Sequence, residues 1–130
     1  MISLKALLLE GMGIDRAFKG TSRGGSAMLT IVDTYRVYKG NNIYTAKGNL
    51  PLYTIIGNKL FKGDKIAGSP IANLYGNKVF KGNDVYGLPL ATIEGEVAFK
   101  GTAIRGLPLV TVPGGDPRSV MAAVYHALFG

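Results

Sequence analysis

Short apolar stretches alternate along the chain with polar, glycine-bearing ones, and from Pro51 onward the alternation is periodic. PLYTI (Pro51–Ile55), PIANL (Pro70–Leu74), PLATI (Pro89–Ile93) and PLVTV (Pro108–Val112) are variants of one five-residue pattern; AMLTI (Ala27–Ile31) lacks the proline. An aromatic-Lys-Gly triplet keeps step with it, at Phe18-Lys19-Gly20, Tyr38-Lys39-Gly40, Phe61-Lys62-Gly63, Phe80-Lys81-Gly82 and Phe99-Lys100-Gly101. The lysines are 20, 23, 19 and 19 residues apart. A period near 20 residues marks a repeat architecture, in which each copy is one supersecondary unit.

Each copy reads as a β-hairpin. The five-mer, rich in β-branched residues, is one arm, and the run ending in aromatic-Lys is the other. Between them stand Gly57-Asn58, Gly76-Asn77 and Gly95-Glu96, pairs suited to a two-residue turn with positive φ at its first position. The copy at Asp33-Thr34 has no glycine and one more residue, so a different turn is expected there. The links between hairpins follow Gly82-Asn83-Asp84-Val85-Tyr86-Gly87 or close relatives, and the second link carries an insertion around Thr45–Gly48.

Period-2 alternation assigns the faces. Ala72, Leu74 and Val79 share one side with Tyr53, Ile55, Leu60, Ala91, Ile93 and Ala98, an apolar set that is the expected core. Thr or Asn stands opposite the aromatic on the other face. Both ends of the chain break the pattern. Leu7–Gly11 aligns with the Ala91–Gly95 arm, so residues 1–17 read as an N-terminal segment holding a degenerate hairpin. After Gly114-Gly115, Asp116 is a good N-cap and Pro117 suits a first helical turn. Val120, Met121, Val124, Tyr125, Leu128 and Phe129 then recur at helical spacing, a stripe too broad to leave in water. Two fates are open for it: a lid folded over the end of the β core, or an interface with a second copy.

The hairpin unit, the G-x-P-[LI]-A-x-[IL]-x-G pattern at Gly68–Gly76 and Gly87–Gly95, and the apolar helix after the last unit resemble the four-fold β-flower family. That resemblance covers residues 18–130 and implies short hairpins set like petals about a pseudo-symmetry axis. It brings no catalytic residue, cofactor or partner. Two departures, five triplets rather than four and the expanded second unit, leave the rotational order and the pairing of the end strands open. The expected fold is therefore mainly β, repeated short hairpins about a pseudo-rotational axis with one C-terminal α-helix. The 130 residues form a single domain: 1–17, hairpins 18–115, helix 116–130.

Composition narrows the chemistry. Cysteine is absent, which removes disulfides, thiolate metal sites and cysteine nucleophiles. No apolar run approaches the ~20 residues of a bilayer span, and the short apolar start makes a poor signal peptide, so a cytoplasmic protein is expected. His126 is the only histidine and reads as a packing residue; Asp64 and Asp84, in equivalent links, read as turn aspartates bonded to their own backbone. No catalytic residue, metal ligand or cofactor is expected. A formal charge of +7 makes an anionic partner more plausible than a cationic one.

The constellation that carries chemistry is the set Lys19, Lys39, Lys62, Lys81 and Lys100. By alternation Lys62, Lys81 and Lys100 lie on the core face at the far end of their arms, and in a closed fold the five would converge on one mouth. A ring of ammonium groups could hold a phosphate, a carboxylate or a nucleic-acid backbone, with Tyr44 and Tyr86 as base-stacking platforms. The plainer reading keeps each lysine stem over apolar surface and its charge in water. The chain thus reads first as a non-enzymatic binding or interaction module, next as an anion or nucleic-acid binder using these lysines, and third as an enzyme.

Overall fold

The computed structural model describes residues 13–41, 50–64 and 68–130. Its strands are β1 (Ile14–Lys19), β2 (Leu29–Val32), β3 (Arg36–Lys39), β4 (Tyr53–Ile56), β5 (Lys59–Lys62), β6 (Ala72–Tyr75), β7 (Lys78–Lys81), β8 (Ala91–Glu94), β9 (Val97–Lys100) and β10 (Val110–Thr111). One helix, α1 (Pro117–Phe129), follows. Every neighbouring pair of strands is antiparallel, and the ring β1-β10-β9-β8-β7-β6-β5-β4-β3-β2 closes on itself. Closure leaves no bare sheet edge in a chain with strands this short.

Four hairpins, β2–β3, β4–β5, β6–β7 and β8–β9, are contiguous in sequence. Gly57, Gly76 and Gly95 have φ of +59°, +63° and +62°, the left-handed value that put glycine first in each two-residue turn. The β2–β3 turn does differ: Asp33 and Thr34 are left-handed at +57° and +49°, and Val32 pairs with Arg36 across three residues. The four prolines stand two residues ahead of their strands rather than at the first paired position.

The fifth hairpin is split between the two ends of the repeat array. Phe18 pairs with Thr111 and Lys19 with Val110, as Phe80 pairs with Asn73 and Lys81 with Ala72 inside a contiguous hairpin. The partner of the first aromatic-Lys arm is therefore β10 and not the Leu7–Gly11 segment, which lies outside the described residues, as does the insertion at 45–48. Ten strands in five pairs also replace the four-fold order that the resemblance implied.

The inward set is as the alternation requires: Tyr53, Ile55, Leu60, Ala72, Leu74, Val79, Ala91, Ile93 and Ala98 are all buried in one cluster. What fills the middle is the helix. Six consecutive residues, Ser119 to Val124, are completely buried, which only a helix enclosed on every side can achieve. The dimensions agree. Ten strands about 4.8 Å apart give a circumference of about 48 Å and a radius of about 8 Å before tilt. A helix with small side chains, about 10 Å across, occupies that bore when the facing residues are also small. Ala122 and Ala123 on the helix and Ala17, Ala72, Ala91 and Ala98 on the wall meet this condition. The helix is thus neither a lid nor a free interface: Val120, Met121 and Val124 are spent inside their own chain.

The outward face holds a repeated device that pattern alone did not show. Thr30, Thr54, Asn73, Thr92 and Thr111 are buried although they point away from the helix. Each donates to the carbonyl of the glycine after a lysine: Gly40 at 2.6 Å, Gly63 at 2.7 Å, Gly82 at 3.1 Å, Gly101 at 2.8 Å and Gly20 at 2.7 Å. The bond fixes the start of each link against the barrel wall. At the split hairpin, Thr111 to Gly20 ties the two ends of the ring. Thr111→Val should cost about 1–2 kcal/mol, since the glycine carbonyl loses its partner. Thermal melts check it: a drop of several degrees is expected, with Thr111→Ser close to wild type.

Candidate anion-binding mouth

In an all-antiparallel ring the odd strands run one way, so the residues that end them lie at one mouth. Lys19, Lys39, Lys62, Lys81 and Lys100 are those residues, the last of β1, β3, β5, β7 and β9. Each pairs with an inward residue, respectively Val110, Leu29, Tyr53, Ala72 and Ala91. Directly opposed residues share a face, so the lysine stems begin on the bore side of the wall. All five are exposed. The tight glycine turns sit at the opposite mouth.

The helix starts at the turn mouth and ends among the lysines. Asp116 caps it, accepting from the Arg118 backbone N–H at 2.9 Å, and Ser119 donates to Asp15 Oδ2 on β1 at 2.8 Å. At the far end the Lys81 ammonium stands 4.9 Å from the centre of the Phe129 ring. Lys62 shares a cavity with Tyr53, Tyr125 and Phe129, and Lys100 shares another with Leu90, Leu128 and Phe129. Lys39 acts electrostatically on His126. Lys62, Lys81 and Lys100 are thus placed at the helix end by their contacts there, and Lys19 and Lys39 by the register of their strands. The negative end of the helix dipole favours cations there, which offsets part of the repulsion within the ring.

Beneath the ring lies a polar pair that sequence did not reveal. Tyr53 Oη and His126 Nδ1 are 2.8 Å apart, and Tyr125 packs edge-on against Tyr53 with ring centres 5.7 Å apart. Burial, with Tyr125 beside it, pushes the Tyr53 phenol up to about 12. A phenol so held keeps its proton, and it shares this hydrogen bond with Nδ1 of the His126 ring. Burial first, then Lys39, lowers the histidine below its usual value. The unfolded chain protonates near pH 6.5. The contribution of a neutral His126 is therefore complete above that pH and is lost as pH falls through the lower folded value. Melts at pH 7.5 and 5 should show a drop in Tm for wild type and a smaller one for His126→Gln. Equal drops would mean that His126 does not govern this window.

The aspartates serve by their backbones instead of their carboxylates: Asp64 O accepts from Arg36 at 3.0 Å and Asp84 O from Asn73 at 2.6 Å. Tyr86 is 84% exposed, while Tyr44 lies outside the described residues. Among the described residues no cluster of His, Asp and Glu could hold a metal ion. Nor is any helix there long and apolar enough to cross a membrane.

A closed ring of repeated hairpins around one helix, with its lysines gathered at a single mouth, defines the architecture as a β-flower. Residues 17–114 match the family described as 6-fold beta flower protein, and the chain belongs to that family. The family, not the four-fold order, is what the repeat motifs had identified. No curated protein and no solved structure matches the chain.

Proposed function

We propose that this protein is a non-enzymatic binding module whose ligand site is the lysine mouth, and that the ligand presents an anionic group there. The observation that supports it is convergence: five lysines, placed by five equivalent strand ends, surround the end of one buried helix. Among the described residues Arg23–Glu96 and Arg118–Asp116 are ion pairs, and neither draws on Lys19, Lys62, Lys81 or Lys100. A ring of like charges with low-dielectric walls focuses positive potential on its axis, where one anionic group meets several ammoniums at once. An extended nucleic-acid backbone would need a stripe, and a ring fits a single head group better. A binding role also agrees with the use of His126, whose Nδ1 is taken by Tyr53. In this reading the protein works in the cytoplasm.

The test is the triple variant Lys62→Gln, Lys81→Gln, Lys100→Gln on phosphocellulose. Wild type should be retained and released by salt, and the variant should elute at clearly lower salt with a Tm within a few degrees of wild type, since exposed substitutions cost little. Equal retention of the two would overturn the reading.

A further inference from the structure

We infer that the mouth takes a soluble single-chain amphiphile, with its anionic head among the lysines and its apolar chain in the grooves beside Phe129. This rests on the anion-binding reading and names the ligand class for the same site. Two cavities open at the mouth. One, of about 250 Å³, lies between Leu52, Ile71, Tyr125 and Phe129 with Lys62 on its rim. The other, of about 320 Å³, lies between Pro89, Leu90, Leu128 and Phe129 with Lys100 on its rim. The second falls at the small end of the range for ligand pockets, roughly 300–1,000 Å³, and the first just below it.

The two share a construction, because Ile71 and Leu90 are equivalent positions one repeat apart. In each, walls that are largely apolar, with Tyr53 and Gly130 added in the first, meet a lysine ammonium that makes no ion pair or hydrogen bond among the described residues. An inorganic anion would use the lysine and leave the walls wet. A neutral hydrocarbon would use the walls and leave the lysine unanswered. Only a molecule carrying both parts is complementary to both. Phe129 stands between the grooves as the last helical residue, 46% exposed, with its ring against Tyr125 at 5.0 Å and beside the Lys81 ammonium. It already shows what the site accepts, an apolar group under a cation.

Calorimetric titration of the full chain with decyl phosphate, kept monomeric, against inorganic phosphate tests this. Each methylene that leaves water is worth about fourfold in affinity, so burying three or four gives roughly 100-fold tighter binding of decyl phosphate. The double variant Ile71→Gln, Leu90→Gln should bring the two ligands within about fivefold of each other and leave inorganic phosphate binding unchanged. Should that variant not fold, amide and aromatic shifts of wild type decide: decyl phosphate should move Ile71, Leu90 and Phe129. Equal affinities for the two ligands in wild type, with binding still dependent on the lysines, would overturn the amphiphile and leave the anion site standing. Binding of neither ligand would overturn both. Capture by phosphatidylglycerol vesicles without binding of monomeric decyl phosphate would also overturn the inference.

Discussion

Ending the chain after Gly115 should abolish cooperative folding. The deleted residues include Val120, Met121, Ala122, Ala123 and Val124, all completely buried, and their loss leaves the barrel wall facing an empty bore. Ten strands of two to six residues have little else to bury on their inner side. Wall residues such as Ala72, Ala91 and Ala98 are too short to meet across the axis. At the usual value of about 25 cal/mol per Å² of apolar surface, exposing the inner wall and losing the helix outweighs the 5–15 kcal/mol by which a domain is normally stable. Circular dichroism and a thermal melt check it. A truncated chain with a sharp transition near that of the parent would show that the helix is not the core.

Met121→Ala should be the costliest of the single truncations within the helix, at the upper part of the range of about 2–5 kcal/mol for such changes. Met121 is the largest completely buried side chain of the helix. The reason to expect the upper part is the wall. Its circumference is set by a closed ladder of backbone hydrogen bonds, so it cannot collapse onto a missing side chain as an open sheet can. The void persists, and cost rises with the void that remains. Met121→Leu, which keeps the volume, should cost under about 1.5 kcal/mol. Denaturant melts of the two variants separate the cases. Equal effects would mean that the barrel does relax around the helix.

Much of this was legible beforehand. The glycine-first pairs placed three turns, and period-2 alternation placed the core face, because one buried face leaves no freedom of register. That the five lysines end strands running the same way also followed, since it needs only closure and a repeat. Two features were not legible for physical reasons. Strand β1 finds β10 across some ninety residues, and nothing local in Ile14–Lys19 names that partner. The Tyr53–His126 bond joins two repeat-breaking positions, so the pattern gives no hint of it. The position of the helix did have a signal. Between Ser119 and Leu128 the face opposite the large residues carries Ser and Ala, with no Lys, Glu, Asp or Gln to meet water. A helix with a small face instead of a polar one is made to be enclosed.

The split hairpin makes the number of repeats a gauge of calibre. A tandem duplication of one unit adds two strands wherever it occurs, because the ring closes through β10 and β1 regardless of what lies between them. Two more strands lengthen the circumference by about 10 Å and the radius by about 1.5 Å. The alanines that now let helix and wall touch would then stand apart, and larger side chains would have to replace them. Copy number and core volume must therefore evolve together in such a chain, a unit gained or lost being tolerated only alongside a rewritten axle.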